Sequence, residues 1–415
     1  MRQMRYCAAG RPAPTLLGRS ARPQLGLLVG VFLACGGPVS TDGFVGDSAG
    51  VRIVTSPDPL ERPEGDPLTE WTVSEEPVLT LRGGDSGFGL IAGVARFGDG
   101  SIAVADAHER HVRLFDPDGI ERATVGRRGE GPGEFESIDG IWAADGGVAI
   151  WDARLVRYTL IAPDGAIGAT VGLEPTGERA RPTPLGFASN GDLFAINDLR
   201  SMPDEERYRA DLAIVSFRPD GTVAATIATV QGAEMWNWVW EMGVTPSTVP
   251  FGRPTVSHFT DDGIYVGDNA GYRIDRYDLA GTLTTSIRLL RDPLPLSSRL
   301  VDQYLEAERT KASSGAAAKG GSDIFGMMAE DAPYPEWLPF YDAILTDDAG
   351  NLWVRDYVTN PDTVTRYVVF GPGGEAVATA ELPPRFRVTE IEGGLVLGVW
   401  RNELDIEQVR AYTLH

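Results

Sequence analysis

Residues 99–119 read Asp-Gly-Ser-Ile-Ala-Val-Ala-Asp-Ala-His-Glu-Arg-His-Val-Arg-Leu-Phe-Asp-Pro-Asp-Gly. An Asp-Gly turn opens the stretch, and Ser101–Asp106 follows as a short apolar run ending on a carboxylate. A polar loop then leads to the apolar run His111–Phe115, and Asp116-Pro117-Asp118-Gly119 turns the chain again. Turn, strand, loop, strand, turn predicts antiparallel neighbours. The Asp-rich turn has the opening of a calcium loop but no distal Glu, so it reads as a hairpin turn.

The same unit recurs. Later second strands are Gly147–Asp152, Asp192–Asn197, Gly263–Asp268, Asn351–Asp356 and Gly394–Val399. From Asp106 to Gly119, Asp152 to Gly165 and Asp268 to Gly281 the separation is 13 each time. Four short strands per unit, at a period of about 45, is the sequence form of a propeller blade. The expectation is an all-β, six-bladed β-propeller of four-stranded antiparallel blades. The sixth unit stops at its third strand, Gln408–Leu414, while an orphan apolar run, Pro77–Gly84, precedes the first unit. An N-terminal strand completing the last blade would close the ring and remove an open edge. Helical patterning is rare; Ser297–Lys311 is the clearest example.

Three features carry a resemblance: Asp-Ser-Ala-Gly-Val-Arg-Ile-Val at 47–54, Val-Gly-Arg-Arg-Gly-Glu-Gly-Pro-Gly-Glu-Phe at 125–135, and the strand-Asp-loop-strand units. Over residues 51–415 the chain resembles secreted bacterial six-bladed propellers of the NHL type, also called TolB-like. The resemblance implies a fold and an exported location, but no single activity, and fold does not settle function.

The N-terminus differs from the rest. Residues 1–34 hold Arg2, Arg5, Arg11, Arg19 and Arg22 and no acid, and an apolar run from Leu25 to Ala34 ends at Cys35. That is the pattern of a secretory signal. Phe32-Leu33-Ala34-Cys35 resembles a lipobox, which makes Cys35 the expected lipid attachment site; plain export is the alternative. The expected domains are a signal at 1–35, a flexible tether at 36–50 and the propeller at 51–415, with insertions near 199–209, 229–255 and 291–339. The expected location is the periplasm or cell envelope, with the outer membrane as one anchoring surface. Cys7 and Cys35 are the sole cysteines, so the folded part has no disulfide to rely on.

Net charge is -22 over 415 residues, with 59 acids against 37 bases. Such an acidic protein repels phosphate backbones, so nucleic acid is not an expected partner. A monomer is expected, held to a membrane by its lipid.

Candidate sites fall into three groups. Residues 124–135 lack the Gly-Lys-Ser/Thr ending of a phosphate loop and have no helix after them, so they read as a crossing loop between blades. Asp106, Asp152, Asn197, Asp268 and Asp356 end second strands, and His111, Arg157, Arg273 and Arg366 begin third strands. Antiparallel pairing brings the two series together, so each acid is expected to pair with its base or with loop amides as blade architecture.

The insertions are the third group, because loops on a rigid scaffold are where recognition resides. Trp236, Trp238 and Trp240 alternate, and in an extended segment they share a face. They are either a binding platform or pins that hold the insertion. Trp337 and Tyr341, where the second of the two large insertions (229–255 and 291–339) returns, complete the candidate binding set. The favoured function is therefore binding or scaffolding, for a protein, glycan or small-molecule ligand, rather than catalysis, and no catalytic set or cofactor is assigned. The alternative is a metal-dependent lyase or lactonase working in the axial channel, which would need zinc or calcium. His108, His111, His258 and His415 are few and scattered for such a site.

Overall fold

The computed structural model describes residues 43–61, 68–84, 87–177, 181–198, 203, 205–314 and 324–415. The expected signal, Cys35 and most of the expected tether lie outside them, as do 199–202, 204 and 315–323.

Among the described residues six sheets have four or more strands. Sheet 1 pairs Ile91–Arg96, Ile102–Asp106, His111–Phe115 and Glu121–Val125 in order. Sheet 2 pairs Gly140–Ala144, Gly147–Asp152, Arg157–Ile161 and Ile167–Gly172. Sheet 3 pairs Arg181–Phe187, Leu193–Asp198, Arg207–Phe217 and Val223–Trp240, and adds Gly243–Thr248. Sheet 4 pairs Val256–Thr260, Gly263–Gly267, Arg273–Tyr277 and Leu283–Leu290. Sheet 5 pairs Tyr341–Thr346, Leu352–Asp356, Thr365–Phe370 and Ala376–Leu382. Sheet 6 pairs Phe386–Glu392, Leu395–Arg401 and Glu407–Thr413.

Second strands are buried on both faces: all five residues of Ile102–Asp106 and all five of Gly263–Gly267 are buried. This explains why they read as nearly unbroken apolar runs in the sequence, since each sheet is sandwiched between two others. The core is accordingly divided into layers. One apolar cluster joins sheets 1 and 2, and others join 2 and 3, 3 and 4, 4 and 5, 5 and 6, and 6 and 1. First strands touch in the same cyclic order.

The tight-turn glycines repeat this geometry. Gly221 and Gly281 sit at φ +84 and +90, where a side chain is strained, and a Cβ there would strike the carbonyls of Gly172 and Ile227 in the preceding sheet. At Gly119 the atoms met are the side chains of Leu79 and Leu81. Those residues therefore stand before sheet 1 as Gly172 stands before sheet 3.

The N-terminal segment runs along the outer edges of three sheets. Phe44–Ser48 and Val51–Pro57 form a hairpin over Ala49 and Gly50, both with positive φ. Val51–Pro57 then lies parallel to Leu283–Leu290 of sheet 4. Next, Thr69–Trp71 lies parallel to Ala376–Leu382 of sheet 5. Finally Leu79–Leu81 pairs antiparallel with Glu407–Thr413 as the fourth strand of sheet 6. Only the last of these additions was expected. Within the stretch read as tether, Phe44–Ser48 pairs with the following strand.

Among the described residues two helices occupy the second insertion, α1 (Ser298–Ser314) and α2 (Ile324–Asp331). The first matches the expected Ser297–Lys311. No helix among the described residues is long and apolar enough to cross a membrane.

Candidate functional site

The strand-end polar residues serve the scaffold. Asp106 accepts amide hydrogens from Gly89, His108 and Glu109 at 2.8, 3.0 and 3.0 Å. Asp152 does the same with Glu136, Arg154 and Leu155 at 2.8, 3.0 and 3.1 Å. Each carboxylate closes its own loop and holds the chain arriving from the preceding sheet. Asn197 donates to Thr176 of the arriving chain. Asp268 accepts the Ala270 amide of its own loop at 3.0 Å, but the hold on the neighbouring chain passes to Asn269. Asn269 accepts from the Phe340 and Tyr341 amides at 2.9 and 3.2 Å and donates to the Pro254 carbonyl.

Of the two partners expected for these acids, loop amides and not the cross-strand base take the carboxylates in sheets 1 and 2, although Asp106 faces His111 and Asp152 faces Arg157 in register. Loop amides saturate the carboxylates first. His111 Nε2 is buried without a partner among the described residues, while Arg157 donates to the carbonyls of Glu130, Gly131 and Glu134. Arg157 therefore fastens the Gly-rich loop, whose Phe135 plugs the core between sheets 1 and 2. Arg273 pairs with Asp275 and Arg366 with Glu381 instead. Asp356 meets Arg291 at 2.6 Å, and Arg291 also grips Asp58 of the N-terminal segment at 2.7 Å. The pair ties sheets 4 and 5 to that segment, and burial raises the Asp356 carboxyl above its ordinary value.

The insertions fold onto one another. Val223–Trp240 runs far past the sheet it belongs to and returns as Gly243–Thr248, so the first insertion is a long hairpin. Trp236, Trp238 and Trp240 share a face, as their spacing required, but that face is covered. Trp236 and Trp238 are 4% and 2% exposed and pack with Ala332, Ile324, Met328 and Tyr334 of the second insertion. Trp238 stacks on Trp240 at 5.1 Å and donates to Asp331 at 2.9 Å. Phe251, Tyr304 and Tyr334 form a second aromatic contact between the insertions. Trp236 and Trp238 are thus packed between the insertions, while Trp240 stays partly exposed.

Tyr341 is also unavailable. It is fully buried between sheets 4 and 5, and its hydroxyl donates to the Arg273 carbonyl at 2.6 Å. Trp337 is half-exposed.

What the insertions leave open is a cleft of about 550 Å³ lined by Pro203, Glu206, Asn237, Val239, Val244 and Asp331 together with Trp236 and Trp238. Val239 and Met242 at the hairpin tip are 73% and 81% exposed, and Phe325 and Met327 of α2 are exposed as well. Trp236 Nε1 and Asn237 Oδ1, both buried beside the cleft, have no hydrogen-bond partner among the described residues. Neither the exposed tip nor the cleft has a signature in sequence. Both arise from which strand face the tryptophans consume.

His258 joins the first strands of sheets 4 and 5. Its Nε2 accepts the Thr346 amide at 3.2 Å and lies 3.0 Å from Thr346 Oγ1, which places its proton on Nδ1. Burial lowers its pKa from 6.5 to about 4. The folded state thus resists a proton that the unfolded chain accepts. Its contribution is complete above about pH 6.5 and is lost as pH falls towards 4. Denaturation midpoints at pH 7.5 and 5 are expected to differ less in His258→Gln than in the wild type. Among the described residues no group of three or more His, Cys, Asp or Glu is arranged to hold a metal.

No protein-family model matches the chain, and no curated protein matches it. Solved structures do. A member of the DUF4221 family from Bacteroides vulgatus is 10% identical, covering 84% of this chain and 99% of its own, with a TM-score of 0.52. A Bacteroides fragilis protein described as exported is 11% identical over 88% of this chain and 99% of its own, with a TM-score of 0.48. The virginiamycin B lyase of Staphylococcus aureus is 12% identical over 83% and 99%, with a TM-score of 0.41. At such identities the likeness is one of fold, and the fold is propeller-like.

Proposed function

We propose that the protein is an exported, lipid-anchored six-bladed propeller, closed by its N-terminal strand, that binds a ligand or partner at its insertion-bearing face. Six sheets in cyclic contact, and Leu79–Leu81 serving as fourth strand to the last of them, support the closed ring. The charged n-region, the apolar run and Cys35 support export and anchoring.

One observation carries the binding role: the two insertions form a single packed unit that keeps apolar side chains exposed around a cleft. Clustered exposed apolar groups mark recognition surfaces. In an antiparallel four-stranded sheet the second-to-third loop and the link to the next sheet leave by the same end, so the elaborations gather at one mouth. A partner with an apolar contact surface fits there better than a stacked sugar, because Trp236 and Trp238 are packed between the insertions.

Val239→Lys combined with Val244→Lys alters only exposed positions and should leave stability within about 0.5 kcal/mol. Isothermal titration against fractionated cell-envelope extract is expected to show at least tenfold weaker binding for this variant. Binding equal to wild type would reject the cleft. Trp238→Ala is expected to loosen the insertions to limited proteolysis while the sheets melt as before.

A metal-dependent lyase or lactonase remains the competing reading, and stoichiometric zinc or calcium in purified protein would favour it. The described residues offer no converging ligand set in its support.

A further inference from the structure

A second cavity, of about 310 Å³, opens between sheets 5 and 6, bounded by Arg355, Arg385, Arg387 and Arg401. Four guanidinium groups around one small space is unusual in a chain of net charge -22. Three of them are committed. Arg355 meets Asp342 at 2.5 Å, Arg401 meets Glu407 at 2.6 Å, and Arg385 is paired with Asp362.

Arg387 is not. It is the second residue of Phe386–Glu392, it is exposed at the cavity, and among the described residues its side chain donates only to the Ile91 carbonyl, at 3.1 Å. It has no ion-pair partner among the described residues. Desolvation and the nearby Arg401 and Arg355 oppose its charge, with Glu407 the one counterweight. A guanidinium carries five N–H donors in a planar fork, and most of this fork is unused.

We propose that this cavity is a carboxylate-binding site in which the Arg387 guanidinium grips the anion by two parallel hydrogen bonds. A single free fork matches a planar carboxylate. Asp405 and Glu407 on the same wall oppose any anion, and a phosphate dianion about twice as strongly as a monocarboxylate. Val358, Phe386 and Val399 supply an apolar surface for the rest of the ligand. The ligand class is a small organic monocarboxylate with an apolar body, and the site is independent of the tryptophan hairpin and its cleft.

The test is an NMR titration of the full chain, following the Arg387 Nε–H signal with benzoate, its neutral isostere benzamide and inorganic phosphate as probes. Benzoate is expected to shift that signal saturably, with benzamide and phosphate at least tenfold weaker. Arg387→Gln, followed by calorimetry, should lose benzoate binding at least tenfold, and Arg387→Lys should fall between. Thermal melts of both variants check that the fold is intact. Failure of benzoate to bind, equal binding of benzamide, tighter binding of phosphate, or unchanged affinity in a folded Arg387→Gln protein would each overturn the assignment.

Discussion

Leu81→Asp is expected to destabilise the whole protein by about 5 kcal/mol, from a lost apolar contact plus a buried charge with no partner. Leu81 is 2% exposed and packs with Phe88, Ile91, Val104, Val399 and Val409, which belong to both ends of the chain. Val78, whose amide donates to the Ala411 carbonyl at 2.8 Å, points the other way and is 58% exposed. Val78→Asp should therefore change stability by no more than about 0.5 kcal/mol. Urea denaturation of both variants gives the check. A similar small effect from both would mean that the N-terminal strand rests on the outside of sheet 6 and holds nothing shut.

The second large effect is expected at Arg291. Its guanidinium neutralises Asp58 and Asp356 together and covers the Tyr272 ring at 5.2 Å. Arg291→Met keeps much of the volume but leaves buried carboxylates uncompensated, which costs about 3–5 kcal/mol. The loss has a pH signature. The folded-state pKa of Asp356 is already raised, and removing Arg291 raises it further, so folding favours the protonated carboxyl. Such a group weakens the fold above its unfolded pKa. The variant should recover stability as pH falls from 7 towards 5. Adding Asp58→Asn and Asp356→Asn to Arg291→Met should restore most of the loss at pH 7. If the single variant loses less than about 1 kcal/mol, the network is not holding the N-terminal segment to sheets 4 and 5.

Much of the sheet arrangement was legible in the sequence because propeller sheets are built from local hairpins. Asp99-Gly100 and Pro117-Asp118-Gly119 fix a strand pair without reference to anything distant. The additions at Val51–Pro57 and Thr69–Trp71 were not legible. They pair in parallel with strands more than 200 residues away, and three or seven residues carry no periodic pattern. Helix α2 was missed because Gly326 interrupts a short apolar run, and it is the tryptophan face that gives the run something to bury against.

The site reading failed where side chains of one type have two uses. Spacing placed Trp236, Trp238 and Trp240 on one face of a strand, as observed. It could not say whether that face would meet solvent or α2. Arg387 carried no signal at all, since an arginine reads the same whether or not a carboxylate waits beside it in the fold.

Leu81 and its partner Val409 are separated by 328 positions, 81 to 409. Closing so long a loop is slow compared with forming the hairpins between them. The earliest apolar strand of sheet 6 thus stays unpaired until Glu407–Thr413 has been made. A chain lacking that strand would keep two raw sheet edges and a bare leucine pair. Copies without it are thereby left open to proteolysis or aggregation, since both edges wait on the same late partner.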